Sequence, residues 1–167
     1  MNSSTTYPLR PGGGAFIALV GMGMVAGIAL RGQNPINGYC VIAGFALAML
    51  SQFFAKRWSS GKPTKRQAFG LIGAIVLESI LFIAFANLYP DMLDQDPVHW
   101  WLIALILVGV HFLPTGFAFG RPAATLGILC IAIASTGLVL PVLPFAAIAL
   151  LDGALKIGFG GWMFVKR

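Results

Sequence analysis

The sequence predicts an all-α membrane protein of six transmembrane helices, with both ends on the cytoplasmic side. Three observations predict it: 58% of the 167 residues are hydrophobic, only 10% are charged, and the apolar residues gather into six runs joined by short polar connections. A soluble domain carries about 25% charged residues, so water is not the main solvent of this chain. A hydrocarbon layer about 30 Å thick takes roughly 20 apolar residues per helix, and six such helices with short links use almost the whole chain.

The six runs are Ala15 to Leu30, Gly38 to Ala55, Ala68 to Leu88, His99 to Phe119, Ala123 to Leu140 and Pro144 to Phe164. They leave residues 1–14 as a cytoplasmic tail, 15–164 as one membrane domain and 165–167 as a cytoplasmic end. The first run is only 16 residues long and can borrow Gly12 to Gly14. Its Gly23 and Gly27 form a small-xxx-small face for close helix approach, within the chain or between two copies as a homodimer. It reads as a retained span because a polar, Gly-rich segment precedes it and no A-x-A site follows before Arg31.

Orientation follows from Lys and Arg, which cytoplasmic loops retain. With the amino terminus inside, the inner segments hold Arg10, Lys56, Arg57, Lys62, Lys65, Arg66, Arg121, Lys166 and Arg167, against Arg31 alone outside. The outer loop after the third run then carries Asp91, Asp94 and Asp96 and no basic residue, which reads as a solvated acidic loop. Aromatic residues agree with this placement, since Tyr39, Tyr89, Trp100 and Trp101 fall at the outer boundary and Trp58 and Trp162 at the inner one.

Three crossings followed by three more run in opposite senses, the arrangement of a 3+3 inverted repeat. The third runs of the two halves share a pattern: residues 76–85 read VLESILFIAF and residues 150–159 read LLDGALKIGF. The other helix pairs share little.

An ionisable side chain at the bilayer centre costs about 2.5 to 3.5 kcal/mol on insertion scales, so each one is a candidate for function. There are four: Glu78, His111, Asp152 and Lys156. At 1.5 Å per residue they fall within about 5 Å of one plane. Asp152 and Lys156 are four apart with the acid first, the orientation that pairs best within a helix. Glu78 has apolar neighbours at 74, 75, 81 and 82, so it needs a partner on another helix. His111 lies in GVHFLPTGF, where Pro114 leaves the Val110 carbonyl without its helical donor. Facing one another, the four form a transport or proton site.

Other chemistry is not indicated. The basic residues flank apolar runs and form no stripe for nucleic acid. Two histidines without CxxC or HExxH leave too few ligands for a metal. Cys40 and Cys130 read as small buried hydrophobes. No nucleophile elbow or phosphate-cradling loop marks an enzyme. The connection KRWSSGKPTKR is an inner charged link suited to weak contact with anionic lipid.

Two segments carry resemblances. LLDGALKIGFGGW resembles the final helix of microbial rhodopsins, with their LDxxxKxGFG pattern, and the likeness implies Lys156 as a retinal Schiff-base lysine with Asp152 as counterion. The chain departs from that family in having six runs where rhodopsins have seven, and no Trp in its second and fifth. GVHFLPTGFAFGRPAATLGIL is similar to a motif of small bacterial inner-membrane proteins of unknown function, which implies a bacterial plasma membrane and no particular activity. The expectation is a transporter or channel for a proton, an ion or a small polar solute; the alternatives are a non-catalytic membrane partner or scaffold, and retinal binding.

Overall fold

Helices start where a side chain or a proline takes care of the first free amides. Asn37 Oδ1 accepts from the Tyr39 amide and Asp96 Oδ1 from the His99 amide. Thr64 and Gln67 form a reciprocal capping box. Pro11, Pro97 and Pro122 occupy first-turn positions, where their missing N–H costs nothing. In the computed structural model, which describes residues 7–59 and 61–166, these signals open the helices α1 (Arg10–Ala29), α2 (Gly38–Ser51), α4 (Lys65–Leu88), α6 (Pro97–Phe119) and α7 (Arg121–Val139). The short α3 (Ala55–Trp58) and α5 (Met92–Gln95) and the last helix α8 (Phe145–Val165) complete the set.

Six of these are long and apolar enough to cross a membrane, counting Gly38–Trp58 as one span. An even number of crossings puts the two ends on one side. Within Gly38–Trp58 a tighter turn at Gln52–Phe54 separates α2 from α3. The Ser51 hydroxyl donates back to the Ala48 carbonyl at 2.6 Å, and Gln52 Nε2 reaches across to the Gly12 carbonyl of α1 at 3.2 Å, so side chains compete with the regular ladder.

The first span begins at Arg10, five residues before the expected Ala15, so part of the expected tail is helix. Glycine is a poor helix former, and tertiary contact decides the matter. A Cβ on Gly13 would strike the Phe119 ring at 2.6 Å, and one on Gly14 would strike the Gly160 carbonyl at 2.5 Å.

In space the spans follow the order α2, α1, α8, α7, α6, α4, with α1 also touching α6. Four helices therefore form the core, and the second and third spans flank it. Only 11% of each flanking span is buried, against 39% or more in the other four. Their remaining faces, with Ile42, Phe45, Phe53, Phe69, Ile72, Ile80 and Ile83 exposed, are surfaces for the lipid bilayer.

Small residues let the backbones close. Gly14 lies on Gly160 and Gly21 on Gly153, a seven-residue spacing on both antiparallel partners α1 and α8. The Gly23 face expected for close approach meets Cys40 and Gly44 of α2, while Gly27 meets Ile36 and Asn37. This face is consumed inside the chain, so it is not available to a second copy.

Aromatic contacts gather toward the two ends of the bundle. Trp58 meets Phe164 edge-on at 5.2 Å at one end, and Phe85, Tyr89, Trp100 and Trp101 form a chain of ring contacts at the other. The two halves are not placed alike, however. α8 is central and α4 peripheral, so the packing gives the inverted repeat no support.

Candidate functional site

The α4–α6 seam is built on small residues of α4. Gly70 meets Phe117 and the Pro114 carbonyl, and Ala74 is fully buried one turn further on. That close approach brings His111 of α6 to the backbone and side chains of α4. His111 Nδ1 lies 3.0 Å from the Ala74 carbonyl oxygen and 3.2 Å from Glu78 Oε2. A carbonyl only accepts, so the Ala74 contact is a hydrogen bond when the hydrogen of the neutral ring is on Nδ1, which leaves Nε2 without one. Glu78 thus finds its partner on another helix. The pair stands at the bundle's flank, with the Glu78 side chain 31% exposed and that of His111 14%. α6 continues through Pro114 to Phe119.

The other two residues lie in the core. Asp152 and Lys156 are 0% and 1% exposed on α8, and the Lys156 ammonium donates to Asp152 Oδ2 one turn away. The Cys130 thiol of α7 lies against both. Asp152 Oδ1 has no hydrogen-bond partner among the described residues. On the opposite side Gly21 of α1 rests against the Lys156 Cβ and the Gly153 carbonyl. A buried pair is tolerated only when its attraction and hydrogen bonds offset desolvation, and here one acceptor is left over.

The four titratable residues therefore form two pairs. No hydrogen bond or ion pair joins Glu78–His111 to Asp152–Lys156 among the described residues, so the expected single cluster of four is not formed. The reason is the order of the helices: α4 packs mainly on α6 at the flank, while α8 lies between α1 and α7.

A retinal on Lys156 does not fit the packing between α1 and α8. The two backbones touch at Gly21–Gly153 and Gly14–Gly160, which leaves no room for a polyene in that interface. Among the described residues no group of three His, Cys, Asp or Glu is arranged to hold a metal. Cys40 and Cys130 are both free thiols.

The Asp96 side chain is 48% exposed in the acidic connection, and the residue also has a structural role. It caps α6, and its Oδ2 lies 2.7 Å from His99 Nδ1, a contact that holds the Asp96 carboxyl below the usual carboxylate range. Its position just before Pro97 was the available signal, as an acid at that place is a helix cap.

A family profile described as "Family of unknown function (DUF6609)" matches residues 1–167. The chain belongs to this family. No curated protein and no solved structure matches it. Family membership thus adds no activity to the geometry, and the two pairs carry the functional argument.

Proposed function

We propose that this integral membrane protein moves protons, alone or coupled to a small polar solute, across a bacterial plasma membrane. The observation that carries the reading is the Glu78–His111 contact, a carboxylate and an imidazole joined between two helices near mid-span. Two groups that titrate, in contact and at that depth, are costly to keep for packing alone. Nε2 accepts a proton from one side, the imidazolium is stabilised by the Glu78 carboxylate, and the proton leaves by Nε2 or by the carboxyl. Asp152 and Lys156 act as a fixed electrostatic centre in the core, with Oδ1 as an open acceptor.

The test is flux into liposomes holding the purified chain and a pH-sensitive dye. Wild type should dissipate an imposed pH gradient, and Glu78→Gln should stop it. Equal flux from wild type and Glu78→Gln overturns the proposal.

One observation favours a second reading, a non-catalytic membrane partner or scaffold. Asp152 and Lys156 pair within a single helix, and they are separate from the other pair. In that reading the polar groups serve helix packing, and the chain copurifies from mild detergent with a second polypeptide in fixed ratio while the flux assay stays silent.

A further inference from the structure

At the inner end of the bundle α6 turns into α7 over a single residue. Gly120 sits at φ +89° and ψ −178°, a conformation open essentially to glycine, and the next helix starts at Arg121. A Cβ at Gly120 would lie 2.7 Å from Arg10 Nη2 and 3.1 Å from the Tyr7 ring, so its absence lets both side chains settle over the turn. Arg10 is held there. Its Nε donates to the Phe119 carbonyl at 3.0 Å and its guanidinium lies 4.9 Å from the centre of the Tyr7 ring.

Beside this turn is an open groove of about 420 Å³, lined by Tyr7, Arg10, Arg121, Thr125, Phe159 and Trp162 together with Pro122. Its chemistry is two-sided. Arg121 is exposed and makes no hydrogen bond or ion pair among the described residues, and the other donors of Arg10 likewise find no acceptor there. The five acids of the chain are Glu78, Asp91, Asp94, Asp96 and Asp152, none of which lines the groove. Phe159 and Trp162, three apart on α8, form an apolar wall, and Trp162 is 43% exposed. Lys166 adds a cation over the Trp162 ring at 5.1 Å.

We propose that this groove binds the phosphate headgroup of an anionic phospholipid from the inner leaflet. The guanidiniums of Arg10 and Arg121 chelate the phosphate, the Thr125 hydroxyl donates a further hydrogen bond, and the acyl chains run down Phe159 and Trp162. Arginine's planar fork suits a phosphate, and basic pockets between transmembrane helices on the cytoplasmic side recognise acidic headgroups. The aromatic wall selects a lipid over a free anion. The headgroup would bridge the α6–α7 turn to α8, joining two core helices at the end where the chain's positive charge is gathered. This site is independent of the proton reading, since it shares no residue with either titratable pair.

Native mass spectrometry of the full chain in neutral detergent tests it, with equal phosphatidylglycerol and phosphatidylcholine added. One phosphatidylglycerol per chain should be retained in preference to phosphatidylcholine. Arg121→Gln should weaken its retention roughly five-fold, the factor expected for one basic contact. Arg57→Gln, whose guanidinium stacks on Phe54 and lies outside the groove, should leave it unchanged. Because Arg121 makes no hydrogen bond or ion pair among the described residues, a folding failure does not obscure the result. Equal retention of both lipids, an equal loss with Arg57→Gln, or displacement of the lipid by equimolar inorganic phosphate overturns the proposal.

Discussion

Gly21 of α1 and Gly153 of α8 lie in backbone contact, so that a methyl on Gly21 would stand 2.6 Å from the Gly153 carbonyl oxygen. Without a hydrophobic drive between helices in lipid, such contacts are a main source of association. Gly21→Ala should destabilise the fold by about 1 to 3 kcal/mol, the usual cost of overpacking. Gly158, on the same helix as Gly153 but with open space around it, provides the control. Gly158→Ala should be neutral or stabilising by up to about 1 kcal/mol through helix propensity. Thermal unfolding in detergent, scored for both variants, checks the pair of expectations.

Breaking the core ion pair from one side leaves an uncompensated charge. Asp152→Leu alone or Lys156→Met alone should cost about 3 to 5 kcal/mol, whereas the double variant should recover most of that loss. A double-mutant cycle of unfolding free energies measures this directly. If the losses of the two single variants simply add in the double, the two side chains are not paired.

The flank pair spans a helix seam. His111→Ala should destabilise by about 1 kcal/mol, in the range of interhelical hydrogen bonds in membranes. The effect should vanish in a Glu78→Ala, Ala74-intact background only in part, because the Ala74 carbonyl is the nearer acceptor. Proteolysis of the α4–α6 seam after each substitution follows this loss.

At the outer end, His99 holds Asp96 below its ordinary pKa. A depressed carboxyl stabilises the folded state at every pH above its unfolded value, and that contribution disappears as the pH falls through the folded value. Stability of the wild type should therefore fall on acidification below the usual carboxylate range more than that of Asp96→Asn. Asp96→Ala also loses the cap and should cost about 1 kcal/mol at neutral pH. Unfolding midpoints across an acid series distinguish the two variants.

The six spans were legible because hydropathy reports burial in lipid directly, and the Asp152–Lys156 pair because both residues share one helix. The start of α1 was legible only in part: Gly12 to Gly14 could be borrowed by the first run, but the extension to Arg10 depends on Ala55, Phe119 and Gly160 packing against those glycines. Depth along a helix also differs from direction around it. Glu78 and Lys156 lie near mid-span, as counted from the sequence, yet the order of the helices sends one to the flank and the other to the core. Pairing between helices, such as Glu78 with His111, is a property of that order and leaves no periodic trace.

The claim on which the functional reading turns is that Glu78 and His111 exchange protons as a unit. Infrared difference spectroscopy of the reconstituted protein, recorded across a pH step, measures it most directly. The account predicts a carboxyl band that Glu78→Gln removes, that His111→Gln moves in pH, and that Lys156→Gln leaves in place. A Glu78 carboxyl that keeps one protonation state throughout, or a band indifferent to His111, contradicts it.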